Sequence, residues 1–238
     1  MGLASTLVPG IEIGQIVLLA RYRDLILTAN ERFNLTAIRD PEGVEYRLLL
    51  ESLRLHSLLA SRVGTISGSE RLIDVGSGSG IPGIPLAILF PGIGVDMIEA
   101  TSKKARFIEE SIHALGLANA TVTHGRAEDL AREPTWRETR QIGTARAVGP
   151  ISTLLELTMP FLEVGCRAVF PKGKLAPAEL ESGHRSAKLL GARLDAVIEL
   201  EPLEGCPDTH VVLAHKIAPI ADRYPRRSGL PARDPLGG

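Results

Sequence analysis

Aromatic residues are scarce in this chain of 238 residues, since Phe, Trp and Tyr together make up 4% of it. A site that binds its ligand mainly by stacking on several rings is therefore not expected. The hydrophobic share of 44% and the charged share of 23% are ordinary for a folded protein and exclude a disordered chain. The length is sufficient for one large domain that needs no disulfide cross-link for stability.

Cysteine is scarce as well, because the sequence contains two such residues, Cys166 and Cys206. They form no Cys-x-x-Cys pair, and none of the six histidines stands at metal-ligand spacing, so neither a disulfide framework nor a metal site is expected. The N-terminus lacks the basic stretch, apolar core and small-residue cleavage site of a secretion signal. We therefore expect reduced thiols and a cytoplasmic protein.

A long hydrophobic run is also missing. Residues 75–95 carry no charge, but nine of these 21 residues are Gly or Pro, which would break a membrane-spanning helix repeatedly. A buried strand, a turn and a short helix are the better interpretation, so no membrane contact is expected. The net charge of −1 is unevenly distributed, since the segment from Lys216 onward has five cations and two anions.

Periodicity divides the chain into two kinds of segment. Apolar residues at helical spacing predict helices at 11–30, 41–61 and 102–115. From Arg71 onward, short β-rich runs alternate with helical stretches, which is typical of βαβ units around a parallel sheet. The expected strands number seven, at residues 72–75, 95–99, 121–124, 144–148, 167–170, 194–200 and 211–217.

These segments predict an α/β fold in three parts. Residues 1–65 form an N-terminal helical extension, and residues 66–218 form a core with a seven-stranded, mostly parallel sheet and helices on both faces. Residues 219–238 are rich in Pro, Arg and Gly, have no periodic pattern and are expected to form an extended tail.

The turn at residues 74–83 carries the clearest chemical signal. It follows a predicted strand, opens a predicted helix and contains Gly76, Gly78 and Gly80, whose backbone can approach a ligand closely. Glu99 ends the next strand, where a carboxylate can accept hydrogen bonds from both hydroxyls of a ribose. Strand, turn, helix and terminal carboxylate together predict a site for a nucleoside-containing cofactor.

The register of the turn indicates which cofactor it binds. Residues 78–83 fit the dinucleotide pattern Gly-x-Gly-x-x-Gly, but in such a site the first glycine follows the strand directly. Here that glycine is Gly76, and Ile81 then stands where the helix-packing glycine belongs. Asp74 adds a carboxylate beside the turn, which suits an ammonium and a sulfonium and suits a pyrophosphate poorly. The turn therefore favours S-adenosylmethionine.

Several separated motifs in one order connect the chain with a known family. They are FNLTAIRDP at 33–41, the turn at 74–85, KKARF at 103–107, RAE at 126–128, ARA at 145–147, KGK at 172–174, YPRR at 224–227 and GLP at 229–231. The chain resembles the glucose-inhibited division protein B family, the bacterial 16S ribosomal RNA guanine-N7 methyltransferases. The resemblance covers nearly the whole chain and implies a Rossmann-like class I methyltransferase fold.

The resemblance also implies site residues. It places S-adenosylmethionine against Gly76, Ile81, Ala127, Glu128 and Arg146. The residues Asp74, Gly78 and Glu99, identified from the turn and the strand that follows it, complete the predicted cofactor site. Ala127 and Glu128 would hold the adenine through a backbone N–H and a carboxylate. A solvated loop or helix cap is the alternative for Glu128, and a pair with a buried carboxylate is the alternative for Arg146.

The RNA substrate is expected to contact Asn34, Arg126, Arg146 and Lys172, with Lys174 and the basic tail as further cations. With few rings available for stacking, recognition would depend on shape and phosphates, with one guanine splayed into the pocket. Guanine N7 carries an in-plane lone pair and needs no general base, so no catalytic residue beyond positioning groups is expected. We expect a monomer whose partner is 16S ribosomal RNA or the small ribosomal subunit.

The sequence departs from the family in two places. Where the family usually has Arg-His before an Asp-Ser pair, this chain has Arg47, Leu48, Glu51 and Ser52. The usual aspartate at the end of the second strand is Glu99, which keeps the carboxylate. The first change removes a histidine, so Leu48 is given no catalytic role.

Two other functions remain open at this stage. One is a nicotinamide-dependent oxidoreductase, which the dinucleotide-like pattern within the turn would suit. The other is a non-catalytic protein that keeps the fold for binding RNA.

Overall fold

Seven strands form one sheet, as the alternating pattern predicts. A computed structural model describes residues 2–62 and 70–237, so the predicted boundary between residues 65 and 66 lies outside the described residues. The strands are β1 Arg71–Val75, β2 Gly94–Glu99, β3 Ala120–His124, β4 Arg140–Ala145, β5 Leu162–Lys172, β6 Ala192–Glu199 and β7 His210–Lys216. Their order in the sheet is β3-β2-β1-β4-β5-β7-β6, with β5–β7 and β6–β7 antiparallel and the other pairs parallel.

Helices cover both faces of this sheet. They are α1 Gly2–Leu7, α2 Ile13–Arg32, α3 Pro41–Val44, α4 Leu50–Arg62, α5 Gly83–Leu89, α6 Ser102–Leu115, α7 Ala127–Leu130, α8 Ile151–Thr158, α9 Pro177–Leu189 and α10 Leu230–Arg233. One hydrophobic core joins α2, α4, α5 and α6 to one face, and a second joins α8, α9 and the chain end to the other. None of the described helices is both long and apolar enough to cross a bilayer.

The N-terminal helices pack directly on the sheet core. The predicted helix at 11–30 is α2, shifted by two residues, and its Tyr22 and Ile26 are fully buried. The predicted helix at 41–61 is continuous but changes character, because a π-helical turn at Glu45–Leu49 joins α3 to α4. Leu48 lies in this turn and is buried, so its apolar side chain belongs to the hydrophobic core.

The fourth strand was predicted at the wrong position. It spans Arg140–Ala145 rather than residues 144–148. Ala147 has a φ of +57°, which an extended strand cannot contain, so β4 ends before it. The polar start of the strand concealed it, since Arg140 is buried through its ion pair with Asp96, at 2.7 Å.

Residues 219–237 form what we call the C-terminal strap. The strap is largely irregular, as its composition predicts, and it packs across α7, α8 and α9. Glu156 on α8 is completely buried and accepts hydrogen bonds from the backbone N–H and the guanidinium of Arg226, at 2.8 and 2.9 Å. Thr153 donates to the Pro231 carbonyl at 2.8 Å. The strap is thus part of the folded body.

Candidate cofactor and substrate site

The carboxyl ends of the parallel strands meet at one edge of the sheet. Strands β1, β2 and β3 follow one another in one direction and β4 and β5 in the other, so the order reverses between the neighbours β1 and β4. In open α/β sheets ligands bind in the crevice at such a reversal. The residues that follow β1, β2, β3 and β4 include the predicted cofactor residues, and the fold therefore gathers them at this crevice.

The glycine turn after β1 has one packed position and one open position. Gly76 has a φ of +71°, and a Cβ there would come within 2.7 Å of the Val148 side chain from the segment after β4. Gly78 has a φ of +61°, and its nearest neighbour would be the Gly76 carbonyl oxygen at 3.9 Å. Space is therefore open beside the backbone at Gly78, where a ligand can approach it.

Glu99 at the end of β2 is bound to this turn. One of its carboxylate oxygens accepts from the Gly78 N–H at 2.8 Å, and the other accepts from the Thr101 N–H at 2.7 Å. A carboxylate oxygen can accept a second hydrogen bond, so both retain capacity for the hydroxyls of a ribose. The two backbone contacts orient the carboxylate beside the open position at Gly78.

Asp74 lies beneath the turn and is completely buried. Its Oδ2 accepts from the Gly83 N–H at 3.0 Å, while its Oδ1 has no hydrogen-bond partner among the described residues. Burial raises the pKa of Asp74 to about 7, and nearby Glu99 adds to the rise while Arg146 opposes it. A cationic ligand group nearby would stabilise its ionised form.

Sequence reasoning missed the contact that Tyr22 makes with the glycine turn. Its hydroxyl, on helix α2 of the N-terminal extension, donates a hydrogen bond to the Ser79 carbonyl within the turn. A Cβ at Gly80 would lie 2.7 Å from the same hydroxyl. Apolar spacing did not single it out, because the buried face of α2 carries Leu19, Tyr22 and Ile26 while Ile13 and Val17 are exposed.

Glu128 is neither solvated nor a helix cap. It is the second residue of α7, is 5% exposed, and accepts a hydrogen bond from the Gly229 N–H of the strap at 2.8 Å. Ala127, which opens α7, is buried beside it. The predicted adenine-binding pair therefore stands at the carboxyl edge of the sheet, with the strap against its carboxylate.

Arg146 forms the ion pair that the alternative interpretation described. Its guanidinium contacts both carboxylate oxygens of Glu51 on α4, at 2.9 and 3.3 Å, and donates to the Arg47 carbonyl at 2.9 Å. Glu51 is 7% exposed. The pair joins the segment after β4 to the N-terminal helices, close enough to Asp74 to influence its charge.

The predicted RNA contacts have different surroundings. Arg126 is exposed at the start of α7, and Asn34 is exposed between α2 and α3, where its side chain accepts from Arg39. Among the described residues, Asn34 has no hydrogen bond to the glycine turn. Lys172 ends β5 and is partly buried, with its ammonium 2.9 Å from Glu179 and 3.0 Å from the Gly149 carbonyl. Its charge is thus balanced within the protein.

A separate groove on the described surface lies away from this crevice. It has a volume of about 820 Å³ and is lined by residues such as Gln15, Ile88 and Asn119. Asn119 directly precedes β3, so this groove lies toward the amino ends of the parallel strands. It is therefore separate from the crevice that holds the predicted cofactor residues.

The crevice has the chemistry that S-adenosylmethionine requires. Three buried carboxylates, of Asp74 on β1, Glu99 on β2 and Glu128 on α7, lie at the carboxyl edge of the sheet, and that of Glu99 binds the open backbone at Gly78. They suit an ammonium, a ribose and an adenine amino group respectively, and they would repel a pyrophosphate. Among the described residues, no cluster of His, Cys, Asp and Glu is arranged to hold a metal ion.

Solved structures of methyltransferases share this fold. A S-adenosylmethionine-dependent methyltransferase from Aquifex aeolicus aligns with a TM-score of 0.54 at 18% identity, covering 75% of this chain and 94% of that one. Geranyl diphosphate methyltransferase in complex with S-adenosylmethionine aligns with a TM-score of 0.54 at 15% identity, covering 71% and 86%. The Rossmann-like methyltransferase fold predicted from the sequence is therefore confirmed.

Sequence comparison identifies the family. The family model for rRNA small subunit methyltransferase G matches residues 15–204. The protein of that name from Dehalococcoides mccartyi (strain CBDB1) is 43% identical over 216 residues, covering 90% of this chain and 88% of the relative. The one from Roseiflexus sp. (strain RS-1) is 40% identical over 224 residues, covering 93% and 92%. Methyltransferase function and the S-adenosylmethionine cofactor are thus confirmed, and the chain belongs to the rRNA small subunit methyltransferase G family.

Proposed function

We propose that this chain transfers the methyl group of S-adenosylmethionine to N7 of a guanine in 16S ribosomal RNA. The observation that carries the proposal is the glycine turn itself, whose backbone at Gly78 is open to a ligand and is bound by the buried carboxylate of Glu99, on a chain of this family. Relatives that match over nine tenths of the chain are named for the small-subunit RNA, which supports the substrate.

The chemistry requires positioning more than proton transfer. The lone pair of guanine N7 forms the new bond to the methyl carbon while the carbon–sulfur bond breaks, and its electrons remain on sulfur. N7 carries no proton, so no general base is needed, and the methylated base leaves with a positive charge. The protein would contribute alignment of the two reactants and a site that tolerates this cation.

Each cofactor residue then has a proposed task. Glu99 would bind the ribose hydroxyls, and Asp74 would face the cationic part of the cofactor from beneath the turn. The Ala127 N–H and the Glu128 carboxylate would bind the adenine, while Gly76, Gly78 and Ile81 would form the surface against which it lies. Arg146, bound to Glu51, would border the crevice on the substrate side.

The RNA would approach this edge from solvent. Arg126 and Asn34 are exposed and offer a cation and an amide to the RNA. Lys172 is paired with Glu179 and would contribute by holding the end of β5 in position. We further propose that the protein acts as a monomer in the cytoplasm. The division into an extension, a core and a tail at 1–65, 66–218 and 219–238 also remains a proposal.

A methyl-transfer assay tests the proposal. The protein would be incubated with methyl-labelled S-adenosylmethionine and either free 16S transcript or assembled small subunits that lack the modification. Nucleoside analysis of the digested RNA should show 7-methylguanosine, and mapping should place it at one guanine. Label in another nucleoside would contradict the N7 assignment.

One variant and two binding measurements separate the competing functions. Gly78→Val places a side chain in the open space beside the turn and should abolish both cofactor binding and transfer. Binding of S-adenosylmethionine by the normal chain without transfer to either RNA would favour a non-catalytic RNA-binding protein. Micromolar binding of NADH with no binding of S-adenosylmethionine would favour the oxidoreductase.

A further inference from the structure

We infer that the C-terminal strap completes the cofactor site, and that the ion pair of Arg226 with the buried Glu156 positions the strap so that Gly229 holds the Glu128 carboxylate. Arg226 and Glu156 are thus positioning residues, which act on the cofactor through Glu128. The inference rests on the proposed role of Glu128 in binding adenine.

The contact between strap and site is direct. The Gly229 N–H donates to Glu128 Oε1 at 2.8 Å, and the preceding Ser228 donates to Asp129 Oδ1 at 2.6 Å. Gly229 has a φ of +80°, which brings its N–H to this position through a conformation that other residues rarely adopt. The carboxylate of Glu128 is therefore oriented by a segment 101 residues away in the chain.

The anchor of the strap is a separate cluster on α8. Glu156 is completely buried, and Arg226 binds it through its backbone N–H and two guanidinium nitrogens, at distances of 2.8 to 2.9 Å. The same guanidinium donates to the Asp234 carbonyl at 2.6 Å, which fixes the strap on both sides of Gly229. Such forked, charge-assisted contacts define position more sharply than a single hydrogen bond.

Burying the Glu156 carboxylate carries a desolvation penalty, so this ion pair is an inefficient way merely to attach the strap. Replacing a buried ion pair by apolar residues is often neutral or stabilising, so the value of this pair lies in the geometry that it imposes. Its location fits that purpose, because it fixes Arg226 only three residues before the glycine that contacts Glu128.

The test measures cofactor affinity in the full-length protein. Glu156→Gln removes the charge and turns an amide N–H₂ toward the guanidinium, so the strap should loosen around Gly229. We expect the Kd for S-adenosylhomocysteine, measured by calorimetry, to rise about tenfold, which corresponds to about 1.4 kcal/mol. The KM for S-adenosylmethionine should rise similarly, while kcat at saturating cofactor stays within about twofold, as expected for lost uniform binding.

Arg185→Met is the matched control. Arg185 binds the far end of the same strap by donating to the Gly237 carbonyl at 2.7 Å. Its loss should leave the Kd unchanged. A double-mutant cycle adds a measurement that general destabilisation would not satisfy, because Glu128→Gln with Glu156→Gln should bind no more weakly than Glu128→Gln alone if both act through one contact.

The outcomes distinguish the two proposals. If Glu128→Gln weakens binding but Glu156→Gln does not, the strap inference is overturned and the cofactor role of Glu128 stands. Fully additive effects in the cycle would also overturn it. If Glu128→Gln leaves the Kd unchanged, the proposed role of Glu128 is wrong and the inference falls with it. Should Glu156→Gln unfold the protein, Arg226→Lys keeps the charge, loses the fork, and should raise the Kd by a smaller factor.

Discussion

Asp74 is the residue through which pH should act on cofactor binding. Burial raises its pKa to about 7, whereas a cationic ligand nearby requires the ionised carboxylate. About a tenth of the carboxyl is ionised at pH 6 and about three quarters at pH 7.5, so affinity for S-adenosylmethionine should rise about eightfold over this range. Calorimetry at each pH measures the change and the proton released on binding.

Asp74→Asn provides the control for this pH dependence. The variant should bind the cofactor more weakly, and its affinity should be nearly constant between pH 6 and 7.5. The substitution should weaken cofactor binding but raise the stability of the ligand-free protein at high pH. Because the pKa of Asp74 is raised in the folded state, the free energy of unfolding of the normal chain falls as pH rises from about 4 to about 7. The ligand-free variant lacks this carboxyl and should therefore be more stable than the normal chain at pH 8. Equal pH dependence in both proteins would refute the assignment.

Individual site residues differ in how far the sequence alone could predict them. Asp74, Gly78 and Glu99 belong to one continuous βαβ pattern, so their proximity follows from chain order and strand direction. The pair between Glu51 and Arg146 joins residues 95 positions apart, and Tyr22 reaches Ser79 across 57 positions. No local periodicity encodes such contacts, which is why the structure was needed to find them.

At the scale of elements, helix α2 supports the glycine turn through Tyr22. Tyr22→Phe removes the hydroxyl and leaves the buried Ser79 carbonyl without this donor, at a cost of about 1 to 3 kcal/mol. We expect a lower thermal midpoint and a KM for S-adenosylmethionine several times higher. Thermal unfolding and steady-state kinetics measure the two effects.

Another tyrosine hydroxyl serves as the comparison for Tyr22. Tyr46 lies on the π-helical turn, where its ring packs against Gly205 away from the glycine turn. Tyr46→Phe should leave the KM for the cofactor unchanged. If both variants alter this KM equally, helix α2 has no specific role in shaping the turn.

The accuracy of the predicted elements depended on whether a pattern is local. Helix α6 was predicted at its observed bounds, Ser102–Leu115, because its apolar stripe is regular. Strand β4 was misplaced because its first residue, Arg140, is polar and is buried only through Asp96, a partner on another strand. The Val148 region was included by β-propensity, although Ala147 has already left the extended conformation.

At the scale of the whole molecule, the strap joins the end of the chain to the cofactor edge of the sheet. Its composition indicates an irregular segment, and its basic residues alone suggest a solvated tail. Arg226 shows why that information is insufficient, since its partner Glu156 lies 70 residues earlier in a helix that is buried throughout. Tertiary ion pairs of this kind give a segment without periodicity a fixed path.

Truncation after Ala218 tests how much the fold depends on this path. Truncation removes Arg226 and leaves Glu156 without its partner, and removing one partner of a buried ion pair costs about 3 to 5 kcal/mol. For a chain of this size, that loss lowers the thermal midpoint by about 10 °C. Truncation after Pro235, which removes only the contacts of Leu236 and Gly237 with α9, should lower it much less.

Glu156→Gln should have opposite effects in the full-length and truncated chains. In the full-length chain it breaks the pair with Arg226 and should lower the thermal midpoint. In the chain ending at Ala218 it removes a charge that has lost its partner and should raise the midpoint, because a neutral amide is less costly than an unpaired carboxylate among the apolar residues of α8. Differential scanning calorimetry of the four proteins measures this reversal. A decrease in both backgrounds would mean that Glu156 stabilises α8 independently of the strap.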